Sequence, residues 1–227
     1  MNYLQYAIRL ANLIPVNTTN TAFQNLLPTI IDYAEQRIYR ELNLLSTRVA
    51  NTSSNCTANS RSFTLPTPAA GPFITVVGLN VVTPVGSTTS NGSRNQVVSR
   101  SRMLVDYYAN TETAASASSV PKMYYMRDQS TVIFGPAPGA AFNVEVIGTI
   151  RPNPLSSTNT STFLTQYLPD LFIAASMTFA GNYLRDFGVE GGNASAGQMW
   201  EQQYKELAMS ANNEETRKRY NDEVNKQ

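Results

Sequence analysis

Between Tyr167 and Gly188 apolar residues fall on every side of a helical wheel, with Leu168, Leu171, Phe172, Ile173, Ala175, Met177, Phe179, Ala180, Tyr183, Leu184 and Phe187 leaving no continuous polar stripe. This predicts a central helix buried all round. Pro169 and Asp170 suit its first turn, and Gly188 after Arg185 suits its end. Asp170, Arg185 and Asp186 interrupt the run, whereas a membrane span needs about twenty apolar residues without such breaks.

The chain opens with a short amphipathic pattern, Leu4, Ala7, Ile8, Ala11 and Ile14, that stops at Pro15. A capping pattern at Thr21 and Gln24 follows, and Pro28 is expected in the first turn of a second helix over Pro28 to Leu45. Its apolar face carries Ile30, Ile31, Ala34, Ile38, Leu42 and Leu45. The opposite face carries Asp32, Glu35, Gln36, Arg40 and Glu41, and Arg37 stands four residues before Glu41, the spacing of an intrahelical ion pair. A charged face of this kind is either solvated or a subunit contact, for which the candidates are Glu35, Arg37, Arg40 and Glu41.

A last long helix is expected after Ser195 and Gln198, with Ala196, Met199, Trp200, Gln203, Tyr204, Leu207 and Ala211 as a stripe against the central helix. Trp200 is read as part of that packing or, being an aromatic so near the helix start, as an anchor for a neighbouring subunit. Beyond Asn212 the stripe ends. The segment EETRKRYNDEVNKQ has Glu214 with Lys218 and Glu215 with Arg219 at i,i+4 spacing, so it reads as a solvated helix, a frayed terminus or an arm that orders on a partner.

From Ser46 to about Ile150 helical periodicity gives way to Ser, Thr, Asn, Gly and Pro with short β-branched or aromatic runs. Strands are expected near Ser46 to Ala50, Ser60 to Leu65, Thr75 to Val82, Met103 to Tyr107, Lys122 to Arg127, Thr131 to Phe134 and Phe142 to Ile150. The gap Asp128-Gln-Ser reads as the turn of a hairpin. Two long polar loops, Gly86 to Ser101 and Asn110 to Val120, are expected to be flexible or functional. Arg94, Arg100 and Arg102 lie in or beside the first without interleaved aromatics, which reads as a flexible surface loop, with binding to a partner protein rather than to nucleic acid as the functional alternative. The organisation is α+β: a helical bundle built from both termini, residues 1–45 and 160–227, with an antiparallel β-rich domain inserted at 46–159.

The 227 residues, 42% hydrophobic, can fill a core, and seventeen basic against sixteen acidic residues leave a formal charge of +1. No bulk field therefore draws the chain to nucleic acid or anionic lipid. There is no histidine, and Cys56 is the only cysteine. Those absences remove the Ser-His-Asp and Cys-His arrangements, an internal disulfide and the Cys/His metal patterns, so no cofactor or metal is expected. Cys56 reads as a bystander in a polar loop. The N-terminus has no basic region followed by an apolar core, and no secretion signal or membrane partner is expected. Six Asn-x-Ser/Thr triplets, at Asn17, Asn51, Asn55, Asn91, Asn159 and Asn193, reflect the polar loops.

The order of parts carries further information. Leu27-Pro28-Thr-Ile-Ile-Asp-Tyr-Ala-Glu35-Gln-Arg37-Ile-Tyr-Arg40-Glu-Leu42 precedes the β region. There follow Pro121-Lys-Met-Tyr-Tyr-Met, a hairpin closing on Phe134-Gly-Pro-Ala-Pro, Pro154-Leu-Ser, and Tyr167-Leu-Pro-Asp-Leu with helices to the end. This arrangement, from about Leu26 to Gly188, resembles the head-to-tail adaptor proteins of tailed bacteriophages, the ring proteins beneath the portal.

The resemblance implies a structural virion protein of the neck, assembled in the host cytoplasm, that connects portal to tail and is not an enzyme. It implies a homo-oligomeric ring of about twelve copies in which each subunit owns two different complementary patches. Its partners would be the portal protein, a tail or nozzle protein, and double-stranded DNA passing through the channel without sequence recognition. Near-neutral charge suits that passage, since a strongly basic lining would hold the DNA. By the same resemblance the portal contacts are Arg217, Lys218, Arg219 and Tyr220, and Arg94, Arg100 and Arg102 form a tail-facing loop.

Two other readings follow from the residues. A carbohydrate-binding or adhesive β module would use Tyr107, Tyr108, Tyr124 and Tyr125 as aromatic platforms. A glycosidase would need a carboxylate pair such as Asp106 and Glu112.

Overall fold

A computed structural model describes residues 1–186 and 194–224, a mixed α+β chain. It divides into two compact units, one of residues 1–46 with 153–227 and the other of residues 47–152.

The first unit is helical. Helix α1 is Tyr3–Leu13, capped by Asn2, whose side chain accepts from the Gln5 N–H while the Gln5 side chain reaches back to the Asn2 N–H. Helix α2 is Thr21–Glu41. It starts a full two turns earlier than the expected Pro28, because Asn20 caps it by accepting from the N–H groups of Ala22 and Phe23. The early turns bury Phe23 and Leu27, which offsets the roughly 3 kcal/mol that an interior proline costs.

Helix α5, Pro169–Asp186, follows a five-residue helix α4, Phe163–Tyr167. Along it Leu171, Phe172, Ala174, Ala175, Met177 and Ala180 are buried and Ile173 and Phe179 are half-buried. Its two described buried hydroxyls are satisfied within the helix, Ser176 donating to the Phe172 carbonyl and Thr178 to the Ala174 carbonyl. The Ser176 hydroxyl in turn accepts from Tyr6, whose ring stacks on Phe172 at 4.7 Å, so α1 is locked onto α5. Tyr33 of α2 meets Phe179 at the same centroid distance. The expected stop at Gly188 lies outside the described residues.

Helix α6, Ala194–Val224, runs for 31 residues. Tyr204, Ala208 and Ala211 are buried, and Trp200 and Leu207 pack at the edge of the same core. Met199 departs from the expected stripe and is exposed. The side chain of Ser195, and with it the expected capping pair, lies outside the described residues.

The second unit holds seven strands: β1 Arg48–Asn55, β2 Ser62–Thr64, β3 Phe73–Thr83, β4 Ser93–Ser99, β5 Met123–Met126, β6 Thr131–Gly135 and β7 Asn143–Ile150. Their order is β1-β7-β3-β4-β5-β6-β2. All neighbours are antiparallel except β4 and β5, which run parallel through Val98 and Met123, so the sheet is not wholly antiparallel as expected. Leu79, Val81, Val97, Val132, Phe134, Val144 and Val146 fill its core. Cys56 is buried in that core beside the Ala140 and Phe142 carbonyls, not in a polar loop, and burial pushes its thiol pKa up.

Two expectations in this unit fail. Residues Met103 to Tyr107 are not a strand; they belong to helix α3, Arg102–Tyr108. The polar run Gly86 to Ser101 contains β4, which buries only Val97 and is held instead by pairing with β3 and by the Asn95 amide donating to the Val81 carbonyl and Thr83 hydroxyl.

Candidate functional site

Two of the charged residues of α2, Glu35 and Arg37, turn inward to their own chain, while Asp32, Arg40 and Glu41 are exposed. Glu35 is 4% exposed and does not share the outer face with Asp32 and Arg40. Its position four after Ile31 and three before Ile38 places it in the apolar stripe, where it accepts the Leu155 N–H at 3.1 Å. Burial pushes its carboxyl up to about 7; the Leu155 hydrogen bond opposes that shift and the nearby Asp32 adds to it.

Arg37 bridges α2 and α6. Its Nη1 and Nη2 each donate at 2.8 Å to one oxygen of Glu201, and its Nε donates to Glu41 at 3.1 Å. The guanidinium lies 3.9 Å from the centre of the Tyr204 ring, and the Tyr204 hydroxyl donates to Glu41 at 2.6 Å. Arg40 is exposed and donates to Gln36. An open groove of about 370 Å³ runs past Asp32, Tyr33, Gln36 and Arg40.

The far end of α6 is clamped as well. Glu215 is buried and accepts the Leu45 N–H at 2.6 Å, Lys218 pairs with Glu214 and Glu215, and Arg219 donates to the Asn43 carbonyl. The helix past Asn212 is therefore seated on its own chain through Arg219. Of the four proposed portal contacts, Arg217 and Tyr220 are exposed, whereas Lys218 and Arg219 are half-buried with partners.

In the β unit Arg94 stands on β4 and pairs with Glu145, which also accepts from Asn80. Arg100 follows that strand, its N–H donating to the Tyr124 carbonyl, and Arg102 opens α3 and pairs with Asp106 at 3.4 Å. These three arginines thus belong to a strand and a helix start, not to one loop. Asp106 also accepts from Arg61 at 2.8 Å, and the Arg61 N–H donates to Glu112. The Arg61 hydrogen bond holds the Asp106 carboxyl below its ordinary range. Both acids of the conceived pair are engaged with one buried arginine. The four tyrosines form no common platform: Tyr107 and Tyr108 are exposed on α3, Tyr124 is buried, and Tyr125 is half-buried on β5.

Among the described residues no helix is long and apolar enough to cross a membrane, and no cluster of three or more His, Cys, Asp or Glu could hold a metal ion. A family model described as SU10 adaptor protein matches residues 1–226. The chain belongs to the SU10 adaptor protein family. No curated protein matches the sequence.

SU10 adaptors are a phage head-to-tail adaptor family, structural and not enzymatic, and membership implies a component of the virion neck that meets portal and tail proteins. For such a protein the relevant sites are surfaces. Glu201 carries no signal in the sequence, and Glu215 shows there only its spacing to Arg219, because the partners through which they fix α6 to α2 and to the segment after it lie 164 and 170 residues away. Glu35 did carry a signal, its place in the Ile31, Ile38, Leu42 repeat.

Proposed function

We propose that copies of this SU10 adaptor assemble into a closed ring of about twelve subunits, docked on the portal and joined on the other side to the tail, with the genome passing through its channel. The family match over residues 1–226 carries this reading. The two terminal helical segments act as one bundle that meets the portal, and the inserted β unit faces the tail or nozzle protein. Assembly takes place in the host cytoplasm, before the ring becomes part of the virion neck.

The portal contact is made by α6. Arg217 and Tyr220 lead it, since both are exposed and an Arg–Tyr pair has the composition of an interface anchor. Lys218 and Arg219 shape that end of the helix through Glu214, Glu215 and Asn43. Arg40 and Glu41 at the exposed end of α2 serve a subunit contact. Glu35 and Arg37 support it from within. Arg94, Arg100 and Arg102 face the tail.

Co-sedimentation with the purified portal tests the docking. Arg217→Ala with Tyr220→Ala should abolish co-sedimentation while leaving the melting temperature unchanged. Undiminished binding would remove α6 from the portal interface.

A further inference from the structure

The two compact units carry opposite charge. Residues 47–152 hold eight Lys/Arg against four Asp/Glu, a formal net of +4, while residues 1–46 with 153–227 hold nine against twelve, a net of −3. In the β unit each of the four carboxylates is already engaged by its own chain: Asp106 by Arg61 and Arg102, Glu112 by the Arg61 N–H, Asp128 by Arg127 and Ser130, Glu145 by Arg94 and Asn80. Among the described residues Arg100 and Lys122 have no ion pair, and both are exposed. The surplus positive charge is thus available to a partner.

The most exposed apolar surface of this unit lies beside that charge. On α3, Met103 is 85%, Tyr107 79% and Tyr108 70% exposed, and Leu104 shares their side of the helix. The opposite side is fixed: Val105 is fully buried, and Asp106 is tied to Arg61, which also donates to the Phe134 carbonyl. The outer face is therefore a held platform of Met and Tyr with Arg100 and Arg102 at one end, the composition enriched at protein interfaces. A nucleic acid would meet the arginines but set a polyanion over Met103, Leu104 and Tyr107, which favours a protein partner of apolar and acidic surface.

The helical unit presents such a surface. An open groove of about 410 Å³ on α6 is lined by Met199, Trp200, Gln202, Gln203 and Glu206. Glu206 is exposed and accepts from the Gln202 amide, and among the described residues it makes no ion pair, the neighbouring Lys205 pairing with Glu201. Apolar faces apolar and unpaired cation faces unpaired carboxylate.

We propose that the outer face of α3 docks a second copy of this chain, at that copy's α6 groove of Met199, Trp200 and Glu206. The inference rests on the ring reading and names two complementary patches for it; of the three arginines proposed above to face the tail, it gives Arg100 and Arg102 to the neighbouring subunit and leaves Arg94 to the tail. Because the patches differ, the contact is head-to-tail and propagates from copy to copy until it closes.

Disulfide trapping tests it in the full-length chain. Cys56, the only native cysteine, is buried and leaves the background clean. Tyr108→Cys and Gln203→Cys replace exposed residues and retain Met103, Tyr107 and Glu206. Under mild oxidation, nuclease-treated Tyr108→Cys and Gln203→Cys proteins should each stay uncross-linked alone, form a dimer when mixed, and give a ladder when both changes are in one chain. Raising salt to 1 M, where the screening length falls to about 3 Å, should slow the trapping severalfold. Dimers from Tyr108→Cys alone would mean that α3 meets α3, and trapping only with portal, or on DNA in untreated samples, would mean another occupant; either overturns the contact. No cross-link in a chain that still forms ring-sized assemblies overturns the contact alone. A chain that never self-associates overturns both the contact and the ring, while portal binding, measured separately, decides the adaptor reading.

Discussion

Arg37 and Glu201 meet as a two-pronged fork, with both N–H···O distances at 2.8 Å, and join α2 to α6 across 164 residues of sequence. The guanidinium also covers the Tyr204 ring, and Tyr204 donates to Glu41, so four side chains act as one unit. A lysine at position 37 cannot reproduce either the fork or the stacking. Arg37→Lys should lower stability by about 1–2 kcal/mol and Arg37→Ala by about 2–3 kcal/mol in urea unfolding, the range for a half-buried charge-assisted pair. Unchanged midpoints would make the fork a surface ornament.

Glu35 makes the helical unit sensitive to pH in an unusual direction. Its folded-state pKa of about 7 lies above the ordinary 4.5, so between those values the folded chain holds a proton the unfolded chain has lost. Stability should therefore fall as pH rises from 4.5 to 7 and then level off, by an amount on the order of 3 kcal/mol. Glu35→Gln keeps an oxygen for the Leu155 N–H and should be the more stable protein above pH 7, with the advantage gone below pH 4.5. Glu201 runs the other way, since the Arg37 fork holds its pKa down and its contribution is lost only as pH falls. Melting temperatures of both proteins across this range give the comparison.

Gly135 sets the seat of α3. A Cβ there would stand 2.8 Å from Val105 Cγ1 and 3.1 Å from Ala109 Cβ. Gly135→Val should lift α3 from the sheet, costing about 1–3 kcal/mol by overpacking. Hydrogen exchange should quicken at residues 103–109 more than in the rest of the β unit. Equal protection in both proteins would show that α3 does not depend on this contact.

Glu215 and Leu45 hold the end of α6 to the segment that follows α2. Glu215→Ala leaves the half-buried Leu45 N–H without its acceptor, a loss of about 1 kcal/mol. Limited proteolysis after residue 212 should become severalfold faster. Resistance equal to the parent's would mean that the rest of α6 suffices to seat this end.

Much of the helical unit was legible because its cores repeat locally. The all-round apolar run of α5 and the three- and four-residue spacing of α1 need no partner to be recognised. The misses have separate physical causes. Pro28 drew the start of α2 inward, although Asn20 and the burial of Phe23 and Leu27 determine it. Met-Leu-Val-Asp-Tyr at 103–107 fits either period, and only the contact of Val105 with the sheet makes it helix. Strand β4 has a single buried apolar residue, Val97, and the pairing that holds it comes from β3. Which of the candidate surface residues stay free of their own chain was not legible, because Lys218 and Arg219 find partners within it.

The native mass of the full-length protein, alone and mixed with its portal, decides whether copies of this chain form a ring on the portal. A docked ring gives a complex whose mass above the portal is a ring-sized multiple of the 24.9 kDa chain. A protein that stays at monomer mass and leaves the portal unchanged would contradict it.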